Sequence, residues 1–257
     1  MKADAGHTPP LYFVEPSMVL GNQIVLARET YRHALAQRLS PGERFRAVLG
    51  ETQYDAVVQE VLSGKITASI VGRTRVAPPP CRIHLYAALL KHQSLDLVVE
   101  KATELGMTSF TPVVTRRTIP RLTGEKALAK IERWARVAKA AAQQSGRGSL
   151  PEIREIRTLE EVFDSGVAGV PLLAHEHEGL TVDIDSATGG QTEASIIVGP
   201  EGGLDALEVE RALEKGFIPV SLGPYILKAE TAGIAAVAVL MSRMAGCSTT
   251  HLSSHRL

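Results

Sequence analysis

The sequence predicts an α/β protein in which a small β-barrel domain precedes a larger domain with a mainly parallel sheet. Short alternating strands and one helical segment fill the first 77 residues, a pattern typical of a small barrel. After Pro78-Pro79-Pro80, buried apolar strands alternate with amphipathic helices, which is typical of a parallel sheet covered by helices. The apolar strand Ser195–Val198 then runs into a glycine-rich loop at 199–203, as at a ligand-binding corner of an α/β fold.

Length and composition limit the class of protein. The 257 residues suffice for one large or two modest domains, and a hydrophobic content of 44% provides a real core. The two cysteines, Cys81 and Cys247, match no metal or redox spacing, which favours free thiols in a reducing compartment. The sequence shows no signal peptide and no apolar run long enough to cross a membrane, so we expect a cytoplasmic protein without a membrane partner.

Charge is unevenly distributed, although the formal net charge is zero. Residues 73–157 carry 16 Lys and Arg against 7 Asp and Glu, whereas residues 158–216 carry 2 against 13. The basic stretch predicts phosphate binding, with an ordinary solvated helix face as the alternative. Aromatic residues make up only 4% of the chain, which argues against RNA binding on platforms of aromatic rings.

The first domain, residues 1–77, is predicted to contain one helix among its strands. The helix runs from Arg28 to Leu39 and ends at Ser40-Pro41-Gly42. Residues 78–80 form a stiff linker to the second domain. The predicted strands lie at 11–14, 23–27, 44–49, 54–61 and 65–71.

The second domain, residues 81–246, is predicted to alternate strands with helices, and residues 247–257 to form a flexible tail. Asp205 and Glu208 predict a capping box at the start of the helix that follows the glycine-rich loop. The predicted strands lie at 82–90, 110–114, 171–174, 195–198 and 218–222, and further helices at 94–105, 123–144 and 230–244.

The loop Gly199-Pro200-Glu201-Gly202-Gly203 is the main candidate ligand site. Its three glycines let a ligand lie against bare backbone, and we expect Gly202 or Gly203 to adopt a positive φ or to omit a Cβ for that purpose. Neither a dinucleotide fingerprint nor a P-loop is present. The alternative is that the glycines only turn a corner. A second loop at 222–232 also follows a strand and precedes a helix, and two such loops favour a ligand site.

Histidine spacing raises the possibility of a metal site. His175 and His177 are two apart on a strand and would point to the same side, while His251 and His255 are four apart in the tail. No third ligand can be identified beside either pair, so we expect no metal.

The two loops resemble those of the SPOUT methyltransferases, a family with a trefoil knot. The resemblance is strongest to the branch that methylates N3 of a uridine in small-subunit ribosomal RNA, and it covers nearly the whole chain. Four motifs occur in the order and spacing of that branch, namely EKATELG (100–106), AAQQSGR (141–147), GPEGGL (199–204) and LGPYILKAETA (222–232). The family usually has other residues at three positions, which here are Gln143, Tyr225 and Lys228.

The resemblance implies a knotted SPOUT α/β domain preceded by a PUA-like barrel that helps to hold RNA. It implies S-adenosylmethionine as the methyl donor, and 16S ribosomal RNA or the assembled small subunit as the partner. It also implies a homodimer with the cofactor near the interface, which the small residues of the last helix around Gly233 would permit. Three loops would cradle the cofactor with Leu173, Ala174, His175, Gly199, Gly202, Gly203, Ser221, Leu222, Gly223, Ile226 and Leu227.

Catalysis at uridine N3 requires an unpaired base that loses its proton before it attacks the methyl group. We expect Arg117 and Lys228 to stabilise the developing negative charge and Glu201 or Glu230 to accept the proton. For Glu230 the alternative is capping of the last helix, and for Arg38 it is an ordinary solvated arginine. The expected RNA contacts are Arg38, Arg117, Arg147 and Lys228.

Two other function classes stay open on sequence alone. One is a SPOUT enzyme that methylates another RNA atom, such as a ribose 2′-hydroxyl or guanine N1. The other is a non-catalytic RNA-binding factor in ribosome assembly that has kept the fold. The intact glycine loops favour an enzyme.

Overall fold

The computed structural model describes residues 8–91, 94–120, 122–176, 179 and 181–246. The chain divides into two compact units. The first unit comprises the described part of Met1–Pro78 together with Ala142–Ser149, and the second comprises Pro79–Ala141 and the described part of Leu150–Leu257. The segment Ala142–Ser149 therefore belongs with the first unit, although it lies far beyond the linker in sequence.

The first unit contains a curled six-stranded sheet in the order β1-β4-β5-β6-β3-β2. All neighbouring strands are antiparallel except β1 and β4. Two irregularities in β5, at Asp55/Ala56 and Val58/Glu60, bend this long strand. The elements are β1 (Leu11–Phe13), a 3₁₀ turn (Pro16–Met18), β2 (Val19–Leu20), β3 (Gln23–Ala27), α1 (Arg28–Ala36), β4 (Arg44–Leu49), β5 (Thr52–Leu62) and β6 (Lys65–Arg75).

Alternation of buried and exposed residues explains this sheet. In β6, Ile66, Ala68 and Ile70 are buried, whereas the residues between them are partly exposed. The inward residues pack around Tyr12 and Phe45, whose rings meet edge to face at 5.6 Å. One face of the sheet thus supplies the core and the other faces solvent, as is usual for antiparallel sheets. This barrel-like sheet confirms the small β-barrel that the sequence predicts for the first domain.

The second unit is built on seven parallel strands in the order β10-β8-β7-β12-β11-β13, with β9 beside β8. This architecture confirms the predicted α/β fold. The strands are β7 (Arg82–Ala88), β8 (Ser109–Val114), β9 (Glu152–Ile153), β10 (Arg157–Thr158), β11 (Val170–Ala174), β12 (Glu193–Val198) and β13 (Ile218–Val220). The helices are α2 (Ser94–Glu104), α3 (Gly124–Gln144), α4 (Leu159–Ser165), α5 (Ile184–Thr188), α6 (Ala206–Glu214) and α7 (Ala229–Ala245).

Helices cover both faces of this parallel sheet, so successive strand residues enter two different cores. Leu85 and Ile196 belong to the core that contains Trp134. Their neighbours in sequence belong to the opposite core, which includes Tyr86, Leu173, Ile197, Phe163 and Phe217. Burial on both faces is why these strands are almost continuously apolar in sequence.

Helix α7 packs against α2 inside the second unit. Gly233 is buried there, and a Cβ at this position would lie 3.1 Å from Cγ1 of Val98. Ala236 is also fully buried. The close approach of α2 in the same chain therefore accounts for the small residue at position 233. Within the described ranges, no helix is both long and apolar enough to span a membrane.

Candidate functional site

Three loops meet at the carboxyl edge of the parallel sheet in the second unit. Strand β11 lies between β12 and β13, with Leu173 opposite Ile197 and Ala174 opposite Val220. Because the strands are parallel, the loops that follow them leave from the same edge. These loops border a cleft of about 750 Å³, a volume typical of small-molecule sites.

The cleft collects nearly all the residues that the sequence predicted for cofactor binding. Leu173 is the exception, because its side chain is fully buried in the opposite core with Phe163 and Phe217. This follows from strand alternation, which turns Leu173 away from the cleft. The predicted residues that line the cleft are Ala174, His175, Gly199, Gly202, Gly203, Ser221, Leu222, Gly223, Ile226 and Leu227.

Gly203 carries the conformational requirement of the glycine-rich loop. Its φ is +68°, and its N–H donates to the carbonyl of Pro200 at 2.9 Å, which closes a tight turn. Gly202 does not have a left-handed φ, and a Cβ there would make ordinary contact with Cδ of Arg117 at 3.8 Å. The positive φ expected at Gly202 or Gly203 therefore occurs at Gly203 and not at Gly202.

A pair of arginines stands in a turn after β8. The N–H of Thr118 donates to the carbonyl of Thr115 at 3.2 Å, and the hydroxyl of Thr118 accepts the N–H of Thr115 at 2.9 Å. Arg116 and Arg117 occupy the middle of this turn. Nη1 of Arg117 donates to the carbonyl of Gly202 at 2.8 Å, so the guanidinium borders both the cleft and the glycine-rich loop.

Helix α6 begins with the predicted capping box, which is confirmed. Asp205 is the N-cap, and its side chain accepts the N–H of Leu207 at 3.2 Å. Glu208 reaches back to accept the N–H of Asp205 at 2.9 Å. The other oxygen of Glu208 accepts the N–H of Arg116 at 2.8 Å, a bond that the sequence did not predict.

The two candidate proton acceptors differ in their surroundings. Both Glu201 and Glu230 line the cleft. Oε1 of Glu201 accepts the N–H of Lys91 at 3.0 Å. The carboxylate of Glu230, in the first turn of α7, forms no hydrogen bond with any residue in the described part of the chain, so it does not cap the helix there. Lys228 is the N-cap residue of α7 and also lines the cleft.

Several residues of the cleft were not predicted. Lys91 precedes α2 and Ser94 is its first residue. Both line the cleft because β7, which comes before them in the chain, lies beside β12. Tyr225 had no predicted role in the cleft; it projects from the last loop with 81% of its surface exposed, beside the predicted Ile226 at 79%. Glu176, Leu204 and Ala229 flank predicted residues, and that proximity was the only signal in the sequence.

The remaining predicted RNA contacts, Arg38 and Arg147, belong to the first unit and not to the unit that holds the cleft. Arg38 is exposed and has a φ of +58°, which is unusual for a residue with a Cβ. Burial lowers the pKa of Arg147 to about 10, and its Nε donates to the hydroxyl of Ser149 at 3.2 Å.

A second cavity of about 580 Å³ lies beside α3 and α4 and contains none of the predicted residues. Arg157, one of its polar residues, donates to the hydroxyl of Ser165 and the carbonyl of Glu161. No cluster of three or more potential metal ligands occurs among the residues that the structure describes. His177, His251 and His255 lie outside those residues.

Comparisons with known proteins bear on the function of this cleft. A family model described as an RNA methyltransferase domain matches residues 77–241. The ribosomal RNA small subunit methyltransferase E of Aquifex aeolicus is 30% identical over 226 residues, which cover 86% of this chain and 95% of the relative. The protein of the same name from Bacillus subtilis is 30% identical over 71% of this chain and 75% of its own length.

Solved structures show the same fold. The ribosomal RNA small subunit methyltransferase E of Neisseria gonorrhoeae, bound to S-adenosyl methionine, superimposes with a TM-score of 0.82 at 26% identity and covers 91% of this chain and 98% of its own. A methyltransferase of Legionella pneumophila in complex with the same cofactor gives 0.83 at 26% identity, with coverages of 92% and 98%.

Proposed function

The chain belongs to the RNA methyltransferase family, together with the ribosomal RNA small subunit methyltransferase E proteins, and from this membership we propose how it acts. It is an S-adenosylmethionine-dependent ribosomal RNA methyltransferase, and its substrate atom is N3 of a uridine in small-subunit RNA. The observation that carries the proposal is one cleft that combines a glycine-rich backbone cradle with two cations and a carboxylate, Arg117, Lys228 and Glu230.

The volume and the lining of the cleft support binding of S-adenosylmethionine. Gly203 turns the loop without a Cβ, and Gly223, with a φ of +142°, does the same in the last loop. Exposed backbone groups of these loops can pair with the edge of an adenine, while Leu222, Ile226 and Leu227 offer apolar contacts. The cofactor supplies an electrophilic methyl group when it is bound.

The residues of the chain then have to present and deprotonate the base. An arginine or lysine near a uracil carbonyl stabilises the negative charge that develops as N3 loses its proton. Both Arg117 and Lys228 border the cleft, which supports this role for them. The carbonyl of Gly202 accepts from Nη1 of Arg117 at 2.8 Å, and Nη2 lies 3.7 Å from a carboxylate oxygen of Asp205. These contacts hold the guanidinium at the loop, and its fork has further N–H groups for the substrate.

Glu230 is the better candidate for the proton acceptor. Glu201 already accepts a backbone N–H from Lys91, so one of its carboxylate oxygens is engaged within the chain. Glu230 has no such bond within the described part of the chain and faces the same cleft. Glu201 then serves to hold the segment before α2 against the glycine-rich loop.

RNA is bound by both units in this proposal. Arg38 and Arg147 contact phosphates from the first unit, while Arg117 and Lys228 grip the nucleotide that reacts. Half-burial and the bond to Ser149 restrict the side chain of Arg147, so Arg38 has the more accessible guanidinium of the two.

We further propose that the protein is a cytoplasmic homodimer. Tyr225 and Ile226 expose apolar surface beside the cleft, and Ala235 and Ala238 leave part of α7 uncovered; a second copy would bury such a surface. Sedimentation velocity at micromolar concentration should give a dimer, and a monomer at that concentration would contradict this part of the proposal.

Nucleoside mass spectrometry tests the function as a whole. Purified protein, labelled S-adenosylmethionine and unmodified RNA of the small subunit, either free or assembled, should yield 3-methyluridine. A ribose 2′-O-methyl nucleoside or 1-methylguanosine would overturn the substrate atom. Binding of RNA without transfer from the cofactor would instead support a non-catalytic assembly factor.

A further inference from the structure

Glu208 joins two loops that border the cleft, although its own side chain does not line the cleft. Only 4% of its surface is exposed. Oε1 accepts the N–H of Arg116 at 2.8 Å, and Oε2 accepts the N–H of Asp205 at 2.9 Å. The first bond holds the turn after β8, and the second holds the end of the glycine-rich loop where α6 begins.

This arrangement exceeds what helix capping requires. The corresponding residue of α4, Glu161, accepts the N–H of Thr158 at 2.7 Å and completes its own capping box from an exposed position. Burial of a carboxylate is unfavourable unless its oxygens accept hydrogen bonds. A capping box does not require that burial, as the exposed Glu161 shows. In Glu208, burial and the second bond serve the connection between the two loops.

The connection controls Arg117. Arg117 follows Arg116 in the turn, and its guanidinium spans to the glycine-rich loop, with Nη1 2.8 Å from the carbonyl oxygen of Gly202 and Nη2 3.7 Å from Oδ2 of Asp205. Glu208 therefore anchors the turn that carries Arg117 and also Asp205, the N-cap residue that faces Nη2 of Arg117. A single carboxylate sets the distance between the guanidinium and the loop.

We infer that Glu208 is a positioning residue that acts through Arg117, by fixing its guanidinium relative to the glycine-rich loop. It makes no contact with the substrate or the cofactor. The inference rests on the proposed function of the cleft as the site of methyl transfer and deepens it, because it names the group that sets the geometry of the charge-stabilising arginine.

A double-mutant cycle of Glu208→Gln and Arg117→Ala tests the inference. Glutamine keeps the shape of the side chain, but its amide nitrogen cannot accept an N–H, so one loop loses its anchor. We expect Glu208→Gln to lower kcat at saturating RNA and cofactor by about tenfold, with cofactor affinity changed by less than about threefold. In the Arg117→Ala background, the same change should lower kcat by less than about twofold, because residues that act as a unit are not additive.

Glu161→Gln is the matched control, since it alters a capping box that lies outside the cleft. It should leave kcat unchanged in both backgrounds. If Glu208→Gln lowers kcat by the same factor with and without Arg117, or does not lower it at all, Glu208 does not act through Arg117 and the inference is wrong. If the wild type binds RNA but transfers no methyl group, the proposed function fails instead, so the two failures are distinguishable.

A second pair of variants probes the same bond from the other side. Arg116→Ala and Arg116→Pro both remove the side chain, but only proline removes the N–H that Glu208 accepts. Arg116 and Arg117 have no positive φ, and proline suits the first central position of such a turn. We expect kcat of the proline variant to fall about tenfold below that of the alanine variant; equal values would overturn the inference even if Glu208→Gln were unfolded.

Discussion

At the scale of single residues, Gly203 is the position where backbone geometry and function coincide. Its φ of +68° is unfavourable for a side chain. We expect Gly203→Val to destabilise the fold by about 1–3 kcal/mol and to weaken binding of S-adenosylmethionine by more than about tenfold. Isothermal titration measures the affinity, and thermal unfolding followed by circular dichroism measures the stability.

The control for Gly203 is Gly216→Val. Gly216 has a similar φ of +82° and open space around it, but it does not line the cleft. It should lose comparable stability and keep its affinity for the cofactor. A Gly203→Val variant that binds as tightly as Gly216→Val would show that the 199–204 loop is not the cofactor cradle.

A substitution at Arg38 can separate the cost of a left-handed backbone from the predicted contact of the guanidinium with RNA. Glycine at position 38 relieves the left-handed backbone at φ +58° and removes the guanidinium. We expect Arg38→Gly to unfold at the same temperature as the wild type or higher, with up to about 1 kcal/mol of added stability, yet to bind small-subunit RNA several-fold more weakly. Filter binding and thermal unfolding check the two effects. Unchanged RNA affinity would favour the alternative of an ordinary solvated arginine.

At the scale of secondary-structure elements, the packing of α7 on α2 yields a prediction about stability. A Cβ at Gly233 would already lie 3.1 Å from Val98. Gly233→Leu should therefore destabilise the second unit by about 1–3 kcal/mol or more, as overpacking does. Gly233→Ala should be nearly neutral, because its gain in helix propensity of about 1 kcal/mol offsets the tight contact. Chemical denaturation distinguishes this from a dimer-interface effect, since the loss should not depend on protein concentration.

Long helices could be predicted from the sequence, but short helices could not. Periodicity identified α3 and the capping pair Asp205 and Glu208 identified α6, because both signals are local. Thr158 and Glu161 form the same type of capping box at the start of α4. Neither α4 nor α5 was predicted from the sequence. Helix α4 has seven residues and α5 has five, which is too few for a helical period of apolar residues to show. The capping residues were therefore the signal available for these helices.

The site could be predicted only where loops carry recognisable motifs. Glycine and proline mark the loops after β12 and β13, where Gly203 and Gly223 have positive φ values that favour glycine. Lys91 and the bond between Glu208 and Arg116 depend on which strands are neighbours, and strand order is not a local property. For Leu173 the contact with the cofactor stays a prediction about its backbone groups, because the side chains of Leu173 and Ala174 face opposite sides of the sheet.

At the scale of the whole molecule, the uneven charge predicts how RNA binding responds to salt. The excess of basic residues at 73–157, the arginines of the first unit and the zero net charge together favour local contacts with phosphates. The dissociation constant should rise steeply with salt as counterions are released. Removal of Arg38 should reduce the slope of the logarithmic plot by about one.

The acidic part of the chain provides the comparison for that salt experiment. Arg211 of α6 lies 2.9–3.9 Å from three carboxylates, those of Glu160, Asp164 and Glu214. These acidic residues therefore share one arginine as their ion-pair partner. Glu160→Gln should leave both the affinity for RNA and the slope unchanged. If net charge alone governed RNA binding, Glu160→Gln would instead strengthen binding by as much as Arg38→Gly weakens it.

The order of strands in the second unit also determines when the cleft can form during folding. Strand β12 pairs with β7, and the paired residues Arg82 and Glu193 are 111 positions apart. Such distant pairing is slow, because the entropy of loop closure is lost before the contact is gained. During synthesis on the ribosome, β7 cannot pair with β12 until β12 has been made. Two of the three loops that border the cleft, those after β12 and β13, are made later still. In refolding experiments, the ability to bind S-adenosylmethionine should therefore return in the slowest phase, after most of the far-UV circular dichroism signal.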